Sequence, residues 1–340
     1  MALRHKMSES RGIQVAAALL AVYIIWGSTY LAIRFAIETL PPLLMAGVRF
    51  LLAGMLLYAW VRLRGGARPK LLHWRTAAVL GGLLLVGGNG GVVWAEQFVP
   101  SGLTALLVSM APIWMALLDW LRPGGQRPRI MVAIGLALGL GGVALLVAAG
   151  SAQSSGSGSL QIGGLLLVVA ASFSWALGSL YAQHAPSPTS PLLGTAMEML
   201  AGGALLMVIA LATGELGQLH PDAISVRSLA ALGYLVIFGS LVGFSCYVWL
   251  LRNTALSLAS TYAYVNPMVA VFLGWALAGE QLSSLTFVAA AIILASVVLI
   301  TTFRAARPTT TTTETTEAAE ATRTTKMPEI VEEAETATQV

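Results

Sequence analysis

Two ionisable side chains lie deep within apolar segments of the sequence, where a charge is costly. Arg49 follows Pro42 by seven residues, and Glu198 follows Pro191 by seven residues. At about 1.5 Å of helix rise per residue, each lies roughly 10 Å inside its segment. A charge there costs about 2.5–3.5 kcal/mol or more and normally faces a partner or a water-filled path. Arg49 therefore either contacts a transported solute or locks two helices, and Glu198 either carries a coupled proton or pairs within the protein.

Further polar and aromatic side chains lie within the same apolar segments. Besides Arg49 and Glu198, the predicted substrate pathway comprises Trp26, Thr29, Tyr30, Asn89, Trp175, Ser179, Tyr262, Tyr264 and Asn266. A tryptophan far from the membrane interface needs a partner for its indole N–H. Trp26 is therefore expected to line a cavity or to pack against Ser28, Thr29 or Ser179. Glu96 and Glu280 are expected to cap outer helix ends, with solvation as the simplest interpretation.

The composition of the chain indicates which elements hold these residues. Of 340 residues, 57% are hydrophobic and 10% are charged, and the mean hydropathy is +0.79, whereas soluble domains carry about 25% charged residues. Apolar runs near the roughly 20 residues that cross a bilayer recur along the chain, which predicts an all-α polytopic membrane protein. Ten spans fit: 14–36, 42–62, 76–97, 102–121, 130–149, 160–182, 190–212, 228–251, 258–278 and 284–303. Pro112 and Pro267 are expected to bend their helices, because proline removes a backbone hydrogen bond.

Basic residues are distributed unevenly between the connections. Fourteen Lys and Arg fall on one side of the predicted membrane, and Arg227 alone falls on the other. Since cytoplasmic connections carry the excess of Lys and Arg, both termini are predicted to be cytoplasmic. The protein is predicted to lie in the inner membrane of a bacterial cell. Residues 1–13 form the cytoplasmic N-terminus, and the Thr- and Glu-rich residues 304–340 are expected to be a disordered cytoplasmic tail.

Matches at constant offsets indicate an internal repeat. At an offset of 149 residues, Trp26 falls on Trp175 and Arg49 falls on Glu198. Other pairs at this offset are Pro42 with Pro191 and Gly54 with Gly203; at 155 residues they are Gly88 with Gly243, Trp94 with Trp249 and Pro112 with Pro267. The predicted repeats are 14–149 and 160–303, joined by an external linker, 150–159. A five-helix unit that occurs twice must enter the membrane from opposite sides, which predicts an inverted repeat of the kind found in secondary transporters.

Two stretches of the sequence resemble a known family. The stretches "WGSTYLAIRFAIETLPPLLMAGVRFLLAG" and "YAYVNPMVAVFLGWALAGEQLS" are similar to those of EamA-type permeases of the drug/metabolite transporter superfamily. The resemblance covers about residues 14–303. It implies ten helices in two EamA repeats and transport of small metabolites or drugs, often as efflux.

The motifs of other function classes are missing from the sequence. It contains no G-x-x-x-x-G-K-[ST] motif for ATP and no H-E-x-x-H motif for zinc. The four histidines fall in predicted loops or tails, so we expect no catalytic residue, no metal and no cofactor, and no nucleic-acid partner. The preferred prediction is a secondary-active exporter of amphipathic, aromatic or amino-acid-like solutes. The protein is expected to be a monomer or a homodimer in the lipid bilayer, and protons are the candidate coupling ion. The alternatives are an uptake or facilitated-diffusion permease of the same fold and, less favoured, a membrane-embedded enzyme or scaffold.

The charge asymmetry predicts the topology. Reporters fused after Arg304 or within residues 62–75 should be cytoplasmic, and one within residues 151–159 should be external. Paired alkaline phosphatase and green fluorescent protein fusions measure this, because each is active on only one side of the membrane. A cytoplasmic 151–159 reporter would contradict both the topology and the inverted repeat.

Overall fold

The computed structural model describes residues 2–121, 130–152, 158–183, 185–186, 188, 190–254, 258, 261–280 and 283–305. These residues form helices joined by short connections, and no strand occurs among them. In chain order the helices are α1 Ala2–Ala36, α2 Pro42–Leu63, α3 Leu71–Ala95, α4 Ser101–Val108 with Ala111–Leu121, α5 Ile130–Ala152, α6 Gly158–Ala182, α7 Pro191–Ala212, α8 226–253, α9 Tyr262–Ala278 and α10 Ser284–Ala305. The predicted disordered tail from residue 306 onward, and residues 153–157 of the predicted linker, lie outside the described residues.

Seven helical stretches in this part of the chain are long and apolar enough to cross a membrane. They are Gly12–Ala36, Pro42–Leu63, Leu71–Ala95, Ser101–Leu118, Leu160–Ala182, Pro191–Ala212 and Val226–Leu250. Three shorter apolar helices are Ile130–Gly142, Val265–Ala278 and Ser284–Ile300. The structure thus confirms the all-α, multi-pass prediction, while the number of ten spans stays a prediction.

Helices α2 and α7 pack with their backbones in close contact. A Cβ atom added at Gly54 would lie 2.9 Å from the backbone nitrogen of Leu200, and one added at Gly203 would lie 2.9 Å from that of Leu51. Neither position therefore has room for a side chain. Small residues at such contacts let membrane helices approach closely. The pair Gly54 and Gly203, which the offset of 149 residues relates, is thus used in the same way by both halves of the chain.

Helices α3 and α8 each contain a π-helical segment, Gly81–Gly90 in α3 and Leu235–Val242 in α8. The two segments occupy matching places in the two predicted repeats. π-helical turns are rare and often occur at functional sites, because the extra residue per turn changes where side chains and carbonyls point. Both segments contact residues that the sequence placed in the substrate pathway.

Two buried carboxylates cap the first turns of helices. Prolines occupy the N-cap positions of α2 and α4 and offer no side-chain acceptor for the free N–H groups. Glu215 accepts hydrogen bonds from the backbone N–H groups of Leu43 and Leu44 at 3.3 and 2.8 Å. Glu280 accepts from the N–H groups of Ser101 and Gly102 at 2.8 and 3.1 Å. Negative charge is favourable at a helix N-terminus, so each carboxylate has a fixed role in the fold.

The interpretation of Glu280 as a solvated residue was therefore wrong. Its side chain is 4% exposed and also pairs with Arg34, whose Nε lies 3.7 Å from Oε1. Glu38, just after α1, forms a half-exposed ion pair with Arg227 at 3.2 Å. The sequence analysis did not recognise the turn at Gly279. This residue has φ of +64° and turns the chain at the end of α9, so that Glu280 points inward.

The two prolines expected to bend helices behave differently. Helix α4 is interrupted between Val108 and Ala111, immediately before Pro112. Pro267 lies within α9, whose helix continues through it. The missing N–H of a proline can be tolerated in membrane helices where neighbouring groups satisfy the freed carbonyl.

Replacement of Glu280 by Ala should destabilise the protein. The two N–H groups of Ser101 and Gly102 would lose their acceptor in a buried place, and each such loss costs about 1–3 kcal/mol. We expect a clear drop in the unfolding temperature of the purified protein in detergent. Glu38→Ala is the matched control, because it removes a half-exposed carboxylate and should change the unfolding temperature little. Equal unfolding temperatures for both variants would contradict the capping role.

Candidate functional site

Arg49 lies at the contact between α2 and the π-helical segment of α8. It is 3% exposed, and its Nε donates a hydrogen bond to Oγ of Ser240 at 3.0 Å. Gly239 makes room for the guanidinium, since a Cβ there would lie 3.2 Å from Nη2 of Arg49 and 3.1 Å from the methyl group of Thr29. Nη1 of Arg49 has no hydrogen-bond partner among the described residues. Arg49 thus joins the two halves and keeps one donor nitrogen free.

Trp26 lies beside this contact, in an aromatic group that we call the Trp26 cluster: Trp26, Phe244, Tyr247 and Tyr262. The ring of Trp26 lies 5.2, 5.1 and 5.2 Å, centroid to centroid, from the other three in that order. Its indole N–H donates to the carbonyl oxygen of Gly239 at 3.2 Å. The sequence had suggested a hydroxyl partner, whereas the structure uses a backbone carbonyl of the π-helical segment in α8.

The hydroxyl residues next to Trp26 bond mainly to their own helix. Thr29 Oγ1 donates to the carbonyl of Trp26 at 2.6 Å. Ser28 Oγ donates to the carbonyl of Ile25 at 2.9 Å and lies 2.7 Å from the hydroxyl oxygen of Tyr234. Tyr30 is partly buried. The contact between Ser28 and Tyr234 fixes α1 against α8.

The second half repeats the contact that Trp26 makes. A Cβ at Gly88 would lie 3.1 Å from Cε3 of Trp175, and a Cβ at Gly243 would lie 2.9 Å from Cδ1 of Trp26. Both tryptophans therefore pack on a glycine of the other half. Ser179 Oγ donates to the carbonyl of Trp175 at 2.8 Å, much as Thr29 does with Trp26.

Glu198 lies near the start of α7, at the opposite end of the molecule from Glu280. It lines a small pocket of about 60 Å³ together with Thr76 and Leu80 of α3 and Gly194 of α7. We call this the Glu198 pocket. No hydrogen bond or ion pair joins the Glu198 carboxylate to any residue that the structure describes. The pocket lies beside the π-helical segment of α3, as Arg49 lies beside that of α8.

Four predicted pathway residues remain, and the structure places three of their side chains. Asn266 of α9 is buried, and its Oδ1 has no partner in the described part of the chain. Tyr262 belongs to the Trp26 cluster. Asn89 lies within the π-helical segment of α3 and is partly buried. The side chain of Tyr264 lies outside the described residues.

Three residues of this region were not predicted to belong to the substrate pathway. Ser240 and Tyr247 contact Arg49 and Trp26 from α8, but Ser and Tyr within an apolar run carry no specific signal. Glu96 was interpreted as a solvated helix end, and this was wrong, because it is 1% exposed. A search of the described residues for three or more His, Cys, Asp or Glu that could hold a metal ion finds no such group.

Comparison with known proteins gives a consistent result. The EamA-like transporter family matches twice, over residues 13–148 and 162–302. The chain is 44% identical over 285 residues to the "Uncharacterized inner membrane transporter YedA" of Escherichia coli strain K12, covering 84% of this chain and 89% of that protein. It is 27% identical to the "Probable amino-acid metabolite efflux pump" of Salmonella typhimurium, covering 81% of this chain and 91% of that one.

A solved crystal structure has a similar fold. Its TM-score is 0.57 at 19% sequence identity, and the match covers 84% of this chain and 95% of the other. At this identity the similarity concerns the fold alone.

Proposed function

This chain belongs to the EamA-like transporter family, and we propose that it is a secondary-active transporter of small metabolites or drugs that works by alternating access. The observation that carries this proposal is the Arg49 contact, a deep charge with a free donor at the junction of two family domains. Substrate sites of secondary transporters lie between repeats, where broken or unwound helix segments expose polar groups. The π-helical segment of α8 supplies such groups at Gly239 and Ser240.

An inverted arrangement of the two halves belongs to this proposal. Arg34, near the end of α1, lines one pocket with Leu160 and Gln161, near the start of α6. The first helix of the first half therefore ends where the first helix of the second half begins. This supports opposite orientation of the two repeats. The same proposal has ten spans and, from the distribution of Lys and Arg, both termini in the cytoplasm of a bacterial cell.

Pockets at opposite ends of the molecule support alternating access. The pocket beside Arg34, which we call the Arg34 pocket, has a volume of about 360 Å³, and the Glu198 pocket has about 60 Å³. Small-molecule sites usually fall between about 300 and 1,000 Å³. The Arg34 pocket is thus large enough for a small solute. A two-sided transporter is expected to have a recess at each end.

Export is the direction that we favour, with amphipathic, aromatic or amino-acid-like solutes as substrates. The Trp26 cluster gives an apolar, aromatic wall beside Arg49, which suits a solute with an apolar body and a small charged group. The Salmonella relative is named as an efflux pump for amino-acid metabolites. The second candidate is uptake or facilitated diffusion by the same fold. A test of whether transport is coupled to a gradient distinguishes facilitated diffusion from secondary-active transport.

Export can be tested before the substrate is identified. Cells that express the protein should release solutes that control cells retain, and untargeted mass spectrometry of the medium should detect them. Arg49→Ala should abolish the release, because it removes the deep charge and leaves Ser240 without its donor. Arg227→Ala is the control, since it removes a half-exposed arginine and should leave release intact. An unchanged profile for Arg49→Ala, at equal membrane level, would contradict a role for this site in transport.

Glu198 is the proposed site of proton coupling. Glu198→Gln keeps the shape of the side chain but cannot exchange a proton at this position. In vesicles loaded with a solute from the release experiment, the variant should still exchange solute at equilibrium. It should fail to concentrate that solute when a pH gradient is applied. Full gradient-driven transport by Glu198→Gln would show that Glu198 is a structural residue.

A further inference from the structure

The Glu198 pocket contains a histidine as well as the carboxylate. His73, Thr76 and Leu80 line it from α3, and Gly194 and Glu198 line it from α7. Their spacings of three and four residues place each set on one face of its helix. His73 lies in the first turn of α3, whereas Glu198 lies about two turns into α7. The pocket therefore joins an imidazole near the end of the helices to a carboxylate that lies deeper.

Backbone contact between α3 and α7 closes the deep side of the pocket. A Cβ atom added at Gly81 would lie 2.6 Å from the backbone nitrogen of Gly202 and 3.0 Å from the carbonyl oxygen of Glu198. The two helices therefore touch directly beyond the pocket. At the other side the lining residues Ala182 and Pro186 are exposed, so the pocket borders solvent there. It thus connects Glu198 with one end of the protein, which is the cytoplasmic end in the predicted topology.

The size and polarity of the pocket suit water rather than a solute. Its volume is about 60 Å³, whereas sites for small molecules usually begin at about 300 Å³. One water molecule needs about 10–15 Å³ of such space and about two to four polar partners. Polar side chains of the lining are the imidazole of His73, the hydroxyl of Thr76 and the carboxylate of Glu198. The pocket can therefore hold a short chain of water between His73 and Glu198.

A backbone contact determines which nitrogen of His73 is available to this water. Nδ1 accepts a hydrogen bond from the backbone N–H of Lys70 at 3.3 Å. A neutral imidazole has one acceptor and one donor nitrogen, so the hydrogen of the ring is then on Nε2. Histidine acts as a proton shuttle in proteins because its ring can accept a proton on one nitrogen and release one from the other. Nε2 of His73 is the nitrogen left to exchange protons with the pocket.

Other titratable groups near His73 have different surroundings. Among the described residues that line the pocket, His73 and Glu198 are the titratable ones. Lys70 and Arg75, which flank His73 on α3, are exposed and do not belong to this lining. Tyr58 of α2 packs on the tryptophan that follows His73, with 6.1 Å between the ring centroids. The end of α6 and the connection after it contribute alanine and proline residues to the described lining.

We propose that His73 passes protons between the cytoplasm and Glu198 through water in the Glu198 pocket. For uptake, a proton from cytoplasmic water binds Nδ1 of His73, which separates from the N–H of Lys70. Nε2 then gives its proton to a pocket water, and that water gives one of its own protons to the carboxylate of Glu198. Exchange with solvent returns the ring hydrogen to Nε2, and release of the proton from Glu198 follows the same steps in reverse. This assignment rests on the proposed proton coupling at Glu198 and adds the route by which the proton arrives and leaves.

The test follows the protonation of Glu198 itself and needs no transported solute. In the purified full-length protein, a light flash releases protons from a caged acid. Infrared spectroscopy then follows the C=O stretch of the protonated Glu198 carboxyl, which is the band that Glu198→Gln lacks. His73→Ala should slow the rise of this band by about tenfold or more and leave its final amplitude nearly unchanged, because the route is altered and the carboxyl is not. An unchanged rate in His73→Ala would overturn the proposal.

His220→Ala is the matched control for this experiment. It makes the same substitution at an exposed histidine in the connection after α7, at the other end of that helix from Glu198. Its band should rise at the rate of the parent protein. Slowing by His220→Ala as large as that by His73→Ala would contradict a specific route through His73.

Chemical rescue separates a proton route from a structural role of His73. Imidazole added to His73→Ala should restore much of the lost rate, because it carries protons in solution. Pyrazole has a ring of the same size but takes up no proton near neutral pH, so it should restore nothing. His73→Asn keeps an acceptor for the N–H of Lys70 but cannot relay a proton, so it should be as slow as His73→Ala. A normal rate in His73→Asn, or equal effects of imidazole and pyrazole, would show that His73 only stabilises the start of α3.

The results also separate this route from proton coupling. If His73→Ala slows protonation as expected while Glu198→Gln still concentrates solute under a pH gradient, the route stands and coupling at Glu198 is wrong. If His73→Ala is protonated at the normal rate while Glu198→Gln loses gradient-driven transport, coupling stands and the route through His73 is wrong. A parent protein without any carboxyl band that Glu198→Gln lacks would overturn both.

Discussion

A polar group within the apolar layer of a membrane has to find its partner inside the protein, and this constraint shapes the whole chain. The first turns of α2 and α4 follow prolines, which offer no side-chain cap. Glu215 and Glu280 supply the missing acceptors from connections far along the sequence. The same constraint explains why Arg49 lies against Ser240 and why Trp26 bonds to a backbone carbonyl. Among the described residues this constraint is not met at Nη1 of Arg49, which has no hydrogen-bond partner there.

The two halves of the chain hold each other by reciprocal contacts. Trp26 of α1 packs on Gly243 of α8, and Trp175 of α6 packs on Gly88 of α3. In both cases a bulky ring meets a position without a side chain at the edge of a π-helical segment. Packing of this kind is specific, because close approach leaves no room for another residue. These contacts join the two halves between which, in the proposed function, the solute passes.

The sequence predicted the class of fold well and the site only in part. Composition and apolar runs predicted the all-α membrane protein, because the bilayer allows few alternatives. The depth of Arg49 and the constant offset between Trp26 and Trp175 led to residues that the structure places at contacts between the halves. The environment of Glu96 and Glu280 could not be predicted, since burial at a helix end depends on which distant segment covers it. The π-helical segments were also missed, because their Gly- and Leu-rich sequences do not differ from those of an ordinary membrane helix.

The two remote caps have a consequence for how the chain is made. The first turns of α2 and α4 belong to the half that leaves the ribosome first, whereas Glu215 and Glu280 belong to the half that follows. During synthesis these N–H groups therefore wait in the membrane without their acceptors. Domains made early usually fold as they emerge, but here the early half is completed only by the late one. The first turn of α2 can thus be completed only after residue 215 has been made, and that of α4 only after residue 280.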